Sequence, residues 1–265
     1  MNRLKLGIVL ETTGLPIRAA LEQAAKLAVD GVQIDAVGDI APDTLTGTGR
    51  REFRNLMRSS NLELSALNCP LRRGLDNPEN LQPRLEHLHK VMQLALDLGA
   101  RKIVAPLPKI LEDAKSSKAV TLREALLALA GYGDRTGTQV ALECGLDSAE
   151  KTRDYLATFD TANLAVNFDP ANFLMNGFEP IGAIPILGNR IIHSHARDAR
   201  MATVSGGAQE VPVGDGDIEW MMYLATLESI DYHGYLVVDR ESGQSRFADV
   251  TAAVKFLKRF VNPLS

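Results

Sequence analysis

Short aliphatic runs and helical stripes alternate about eight times along this chain, and this alternation restricts the fold more than any other feature. Each run has the length and the β-branched or aliphatic composition of a single strand. The runs cover residues 4–10, 32–34, 62–67, 102–104, 139–142, 164–168, 190–193 and 235–238. Because strands that alternate with helices usually pair in parallel through crossovers, the pattern predicts an α/β protein with a parallel sheet.

Between the runs, apolar residues recur at the spacing of amphipathic helices. The first such segment covers residues 17–28, with Pro16 before it and Gly31 after it, as expected at helix ends. Others cover residues 81–98, 122–130 and 253–260. Asp217 is predicted to cap a further helix that carries Met221 on its apolar face.

Eight strand-helix units in 265 residues favour a closed (β/α)8 TIM barrel, with residues 1–265 as a single domain. The alternative is an open doubly wound sheet with the same periodicity. Such a sheet usually has a G-x-G-x-x-G turn after its first strand, whereas the chain has ETTG at residues 11–14. The closed barrel is therefore the predicted fold.

Composition and charge exclude several classes of protein. With 29 basic and 33 acidic residues the net charge is −4, and 45% of the residues are hydrophobic, which argues against a disordered chain and against a nucleic-acid partner. Glu11 interrupts the first apolar run, and no run reaches the ~18 residues that cross a bilayer, so we expect no export signal and no membrane association. Two cysteines fit the reducing cytoplasm, the expected location.

In a TIM barrel the active site lies at the carboxyl ends of the strands, so the residue that ends each run is informative. The last four runs lead to Glu143, Asp169, His195 and Asp239. Three carboxylates and one imidazole suit a divalent ion such as Mn²⁺, Mg²⁺, Co²⁺ or Zn²⁺. Without a cation, these carboxylates would repel each other in one pocket. In the first half, Glu11, Asp35 and Asn68 end or follow strands and are expected to line the same pocket.

Five segments in the second half carry a resemblance to a known family. They read LECG at 142–145, NFDPAN at 167–172, HSHARDA at 193–199, VGDGDI at 213–218 and VDRE at 238–241. Together they resemble the signatures of the xylose isomerase-like barrel superfamily, in its sugar phosphate isomerase/epimerase branch. The resemblance covers the whole chain in layout, but the specific motifs lie after about residue 139.

The resemblance implies a Glu-Asp-His-Glu metal set, which assigns Glu143, Asp169 and His195 to the first three places. The fourth place falls on Asp239, where the family usually has Glu. Glu241, on the same strand face, is the alternative fourth ligand or base. The resemblance also suggests Glu143 and Asp239 as the catalytic acid/base pair.

Three residues are predicted to contact substrate. Asn172 stands where many ketose epimerases have His, Arg197 stands where the family often has Lys, and Glu241 is the third. Asp198, which follows Arg197, is expected to orient either His195 or Arg197.

The implied activity is that of an isomerase or epimerase that uses one divalent metal ion and transfers a proton through an enediolate. Its substrate would be a small keto-sugar or sugar phosphate, and the enzyme could be a homo-oligomer. A lyase or dehydratase acting on a keto-sugar derivative is the first alternative, because it shares the initial proton abstraction. An apurinic endonuclease and a non-catalytic sugar-binding barrel are the further alternatives.

Overall fold

The structure, a computed structural model, describes residues 4–201 and 207–261, and eight parallel strands in these ranges close into a barrel. The barrel strands are β1 Lys5–Val9, β2 Gly31–Asp35, β3 Glu63–Asn68, β4 Lys102–Pro106, β5 Gln139–Glu143, β6 Leu164–Phe168, β7 Ile191–Ala196 and β10 Tyr235–Val238. Two short strands, β8 Asp198–Arg200 and β9 Gln209–Val211, form an antiparallel hairpin after β7. Because β10 pairs in parallel with both β1 and β7, the sheet has no free edge, which confirms the predicted TIM barrel.

The helices that the structure describes follow the strands and cover the outside of the barrel. They are α1 Ile17–Lys26, α2 Gly47–Ser59, α3 Leu81–Leu98, α4 Ser117–Thr136, α5 Ala149–Ala157, α6 Pro170–Met175, α7 Pro180–Leu187, α8 Trp220–Ser229 and α9 Arg246–Val261. Thr46, Ser116 and Ser148 cap α2, α4 and α5, because each side chain accepts a hydrogen bond from the backbone N–H three residues on. None of the described helices is both long enough and apolar enough to cross a membrane.

The main core lies between the outer face of the strands and the inner face of the helices. Leu21, Leu88 and Leu126, on three different helices, have no exposed surface. The interior of the barrel is filled partly by small residues from neighbouring strands, among them Ala66 and Ala141. The interior also holds polar side chains near the carboxyl ends of the strands, where the site is built.

The prediction that Asp217 caps a helix is wrong. The helix α8 begins at Trp220, and the Asp217 carboxylate instead accepts a hydrogen bond of 2.8 Å from the backbone N–H of Met201. Met221, expected on the apolar face, is 69% exposed. The buried face of α8 consists of Trp220, Tyr223, Leu224 and Leu227, so the predicted Leu224 and Leu227 lie on it and Met221 does not.

Candidate active site

Four side chains from consecutive barrel strands converge at the carboxyl end of the barrel. Glu143 ends β5, Asp169 follows β6, His195 lies near the end of β7 and Asp239 follows β10. His195 Nδ1 lies 3.5 Å from Asp169 Oδ2 and 3.7 Å from Glu143 Oε2. The Asp239 carboxylate is 4.0 Å from the same nitrogen. One donor atom each from Glu143, Asp169 and His195 lies within 4.8 Å of the others, a spacing that a single metal ion can bridge.

Gln33 determines which nitrogen of His195 faces the carboxylates. The side-chain oxygen of Gln33 lies 3.0 Å from His195 Nε2. Because a carbonyl oxygen can only accept, Nε2 carries a proton and Nδ1 is the nitrogen left for a metal. The register of β2 against β3 shifts between Val32 and Gln33, and such bulges redirect side chains next to active sites.

Arg197 lies among the carboxylates with only 3% of its side chain exposed. Its guanidinium donates to Asp169 Oδ2 at 2.8 Å and to Glu241 Oε2 at 3.0 Å. It also lies 3.9 Å from Asp239 Oδ2. The buried positive charge thus lies close to the carboxylates of Asp169, Glu241 and Asp239.

Asn172 joins the loops that follow β5 and β6. Its amide nitrogen donates to Glu143 Oε1 at 2.8 Å, and its backbone N–H donates to Asp169 Oδ1 at 3.0 Å. The side-chain oxygen accepts from Arg197 at 3.2 Å. Gly145 permits this approach, because its φ is +127° and a Cβ there would lie 2.6 Å from the Asn172 Cβ. Asn172 therefore orients the carboxylates of the site.

The pKa values of the site reflect burial first and the neighbouring charges second. Burial raises the pKa of Glu143 and of Asp239, although His195 and Arg197 oppose the shift. Burial would also raise the pKa of Asp169, but Arg197 and then His195 hold it well below its usual value. Burial disfavours the charged form of His195, but Asp169, Glu143 and Asp239 together raise its pKa to about 9.

The donor set fits a divalent cation. Its carboxylate oxygens and imidazole nitrogen are ligands that Mn²⁺, Mg²⁺, Co²⁺ and Zn²⁺ accept. Glu143, Asp169 and Asp239 place three carboxylates within 4.0 Å of His195 Nδ1, and a bound cation would offset their negative charge. Asp239 is better placed than Glu241 for a fourth ligand, because the Glu241 side chain is 59% exposed and contacts Arg197.

Glu143, His195 and Asp239 line a cavity of about 230 Å³, whereas Asp169, Asn172 and Arg197 lie behind its lining. The lining consists of Val9, Glu11, Thr12, Gln33, Asp35, Asn68, Glu143, His195, Asp239, Arg240, Glu241 and Arg246. Pockets for drug-sized ligands are typically ~300–1,000 Å³, so this cavity suits a smaller metabolite. Glu11, Asp35 and Asn68 line it, as expected from their places at the strand ends.

The prediction that Asp198 orients His195 or Arg197 is wrong. Its carboxylate accepts hydrogen bonds from the backbone N–H groups of Gly214 and Gly216 and from Trp220 Nε1, at 2.8, 3.2 and 2.9 Å. Asp198 turns away from the site because it satisfies the backbone donors of the glycine-rich loop. Its role is to shape the chain between the β8–β9 hairpin and α8.

Three residues that contact the site, Gln33, Asn167 and Glu210, were not predicted from the sequence. Gln33 and Asn167 were detectable, because each is a polar residue inside an apolar strand. Asn167 Oδ1 lies 2.8 Å from His193 Nδ1, and its amide nitrogen is 3.5 Å from Glu143 Oε2. No sequence pattern around Glu210, on β9, indicates a role in the site, because its contacts are with residues distant in sequence.

Glu210 connects the β8–β9 hairpin to the loop that follows β10. Its carboxylate accepts from the backbone N–H groups of Glu241 and Ser242, both at 2.9 Å. It also lies 3.7 Å from Arg197 Nε and 3.4 Å from Arg240 Nη1. This buried carboxylate therefore holds the segment that carries Glu241 against the cavity.

Comparisons with known proteins agree with this architecture. The uncharacterized protein YfiH of Bacillus subtilis (strain 168) is 26% identical, over 98% of this chain and 100% of the relative. A xylose isomerase domain protein from Planctomyces limnophilus has a TM-score of 0.84 at 23% identity, covering 98% of this chain and 99% of that one. The 3-keto-D-glucoside 4-epimerase YcjR from E. coli has a TM-score of 0.77 at 16% identity, covering 97% and 99%.

At such identities the two solved structures show a common fold and no more. The sequence profile of one family matches residues 21–260, which is nearly the whole chain. This match agrees with the resemblance carried by the five motifs of the second half. The chain belongs to the xylose isomerase-like TIM barrel family.

Proposed function

We propose that the protein is a sugar isomerase or epimerase that depends on one divalent metal ion and moves a proton on a keto-sugar. The observation that supports this most directly is the convergence of Glu143, Asp169 and His195, whose donor atoms lie within 4.8 Å of each other. Glu143, Asp169, His195 and Asp239 would hold the ion, which could be Mn²⁺, Mg²⁺, Co²⁺ or Zn²⁺. When bound, the ion would act as a Lewis acid toward the substrate oxygens.

The chain's own carboxyl groups would move the proton. Glu143 and Asp239 come from β5 and β10, which are separated in the barrel by β6 and β7, so they approach a bound sugar from different sides. Burial raises the pKa of both groups, which makes each a better proton acceptor at neutral pH. We propose that one removes the proton next to the carbonyl and the other returns it. Asn172, Arg197 and Glu241 would contact or position the substrate.

The structural neighbours and the net charge support a sugar-converting enzyme over an enzyme that acts on nucleic acid. The E. coli structural neighbour is described as an epimerase of a keto-glucoside, and the family is that of xylose isomerase-like barrels. The net charge of −4 gives no support to a nucleic-acid substrate, so we propose a small sugar as the partner. We propose the cytoplasm as the location because Cys69 and Cys144 are free and buried thiols.

Exchange of substrate hydrogens with D2O tests this function. The purified protein, loaded with Mn²⁺, is incubated in D2O with a panel of keto-sugars and 3-keto-glycosides, and NMR detects deuterium next to the carbonyl. We expect exchange that chelator abolishes, and NMR of the products separates isomerisation from loss of water. Exchange that continues at full rate in chelator would contradict the metal requirement.

A variant pair assigns the acid/base role. Glu143→Gln is expected to lower the exchange rate by ~10²–10⁴-fold, since it removes a proton-transfer group. Glu150→Gln, on the exposed surface of α5, is the matched control and should exchange like the native protein. Metal content is measured in both variants. Full exchange by metal-loaded Glu143→Gln would remove Glu143 from the proposal.

The fourth metal place is tested separately. Asp239→Asn is expected to weaken Mn²⁺ binding more than Glu241→Gln, because Asp239 lies 4.0 Å from His195 Nδ1 whereas Glu241 contacts Arg197. Isothermal titration calorimetry measures both affinities. If Glu241→Gln weakened Mn²⁺ binding more than Asp239→Asn, Glu241 would be the fourth metal ligand.

A further inference from the structure

The cavity has a second polar side, formed by Glu11, Asp35 and Asn68, which the proposed proton transfer does not use. We call these three residues the β1–β3 wall, because they end or follow the adjacent strands β1, β2 and β3. They line the same cavity as Glu143 and His195. A substrate whose reacting carbons lie at the metal-competent residues would therefore extend toward this wall.

In each carboxyl group of the wall, one oxygen accepts a hydrogen bond from the protein. Glu11 Oε1 accepts from the backbone N–H of Asp35 at 2.9 Å, and Asp35 Oδ1 accepts from Asn68 Nδ2 at 2.7 Å. Glu11 Oε2 is buried and has no hydrogen-bond partner among the described residues. A shielded acceptor without a donor is unfavourable in the free protein, and a ligand hydroxyl in the cavity would satisfy it.

The wall carries no compensating positive charge. Within the described residues, neither Glu11 nor Asp35 forms an ion pair, in contrast to the carboxylates around Arg197. Burial, followed by the charge of Asp35, raises the pKa of Glu11 to about 7, and burial also raises the pKa of Asp35. An anion is disfavoured here because it would meet two acidic groups, whereas a ligand hydroxyl can donate a hydrogen bond to them.

The two arginines that line the cavity, Arg240 and Arg246, do not pair with the β1–β3 wall. Arg240 donates to Asp249 at 2.9 Å and lies 3.4 Å from Glu210, so its charge is already paired. Arg246 is exposed at the start of α9. Neither contacts Glu11 or Asp35 in the described structure. A phosphate held against the β1–β3 wall would thus lack the cationic donors that phosphate sites use.

We propose that Glu11, Asp35 and Asn68 bind the hydroxyl groups of an unphosphorylated sugar and select against its phosphate ester. This inference rests on the proposed function, since it concerns the far end of the same substrate. Two neighbouring hydroxyls would donate to Glu11 Oε2 and to the free oxygen of Asp35. The side-chain oxygen of Asn68 would accept a third.

Matched substrate pairs test the inference. Each pair is a keto-sugar and its terminal phosphate, and deuterium exchange is measured with Mn²⁺-loaded protein as above. We expect exchange with the free sugar, and a kcat/KM lower by about tenfold or more for the phosphate. Better exchange with the phosphate would overturn the inference and leave the proposed function intact. If neither member of any pair exchanged, the proposed function itself would fall.

Substitutions in the β1–β3 wall test whether these residues bind the free sugar. Glu11→Gln and Asp35→Asn are each expected to raise KM for the free sugar by about tenfold, the loss expected for one hydrogen bond to a charged group. The kcat and the affinity for Mn²⁺ should change little. Asp39→Asn is the matched control, because Asp39 is exposed in the turn that follows β2. Native KM in both wall variants, with folding verified by circular dichroism, would also overturn the inference.

Discussion

Gln33 on β2 accepts a hydrogen bond from His195 on β7, with 3.0 Å between Gln33 Oε1 and His195 Nε2. The two residues are 162 positions apart, and β1 and β10 lie between their strands in the barrel. The contact keeps a proton on Nε2 and directs Nδ1 to the carboxylates of Glu143 and Asp169. Partners of this kind orient metal-binding imidazoles in many proteins.

Removing this acceptor should weaken metal binding. Gln33→Leu keeps the size of the side chain but removes the oxygen that accepts from Nε2, so we expect the affinity for Mn²⁺ to fall by ~10–100-fold. Gln33→Glu retains an acceptor and is the matched comparison, expected to bind more tightly than the Leu variant. Calorimetry on both proteins checks this. Equal affinities would show that Gln33 does not orient His195.

Metal binding should depend on pH. The pKa of His195 without metal is about 9, so its imidazole is protonated at neutral pH. A cation at Nδ1 must displace that proton, and its affinity should rise about tenfold per pH unit between pH 6 and 8. Titrations in buffers of different ionisation enthalpy measure the protons released. An affinity that does not change with pH would contradict the assignment of His195 as a ligand.

Glu11 should make the folded protein less stable as the pH rises. Its pKa increases from 4.5 to about 7 on folding, first because of burial and then because of Asp35. The protonated form is favoured in the folded state, so stability declines between pH 4.5 and 7 and the full cost applies above pH 7. Glu11→Gln removes this cost and should raise the free energy of unfolding at pH 8 by up to about 3 kcal/mol.

Urea denaturation in chelator at pH 5 and pH 8 measures the effect of Glu11→Gln. The gain should be much smaller at pH 5, because the folded carboxyl is protonated there. Glu22→Gln, on the exposed side of α1, serves as the control and should have the native pH profile. A gain of the same size at both pH values would show that ionisation of Glu11 is not its cause.

Arg197 should be essential for folding stability. Its side chain is 3% exposed and donates to Asp169 at 2.8 Å. Arg197→Met removes the guanidinium that donates to the buried Asp169 carboxylate and should lower the free energy of unfolding by about 3–5 kcal/mol. Arg153→Met removes an exposed pair with Asp154 and should cost at most about 1 kcal/mol. Urea denaturation measures both losses. If Arg197→Met cost no more than Arg153→Met, the Arg197 pair would not be stabilising.

Much of the fold could be predicted because it follows from two sequence patterns. These are the short aliphatic runs of the strands and the helical spacing of apolar residues between them. The strands at Leu164–Phe168 and Tyr235–Val238 have the predicted bounds, and the other predicted strands differ by one to three residues at an end. The site prediction depended on the rule that strand ends share one rim, and Glu143, Asp169 and His195 do meet there. Asp217 and Asp198 were misassigned because loop donors, which no periodicity reveals, decide where their carboxylates point.

The sequence by itself determined the barrel, its order of strands and the set of acidic and imidazole groups at its rim, because these follow from local spacing along the chain. Only the tertiary structure decided the nitrogen that His195 presents and the carboxylates that share Arg197. It also decided that Glu11 and Asp35 have no ion pair among the described residues. These depend on barrel closure and on strand register, which bring together residues such as Gln33 and His195 that are far apart in sequence.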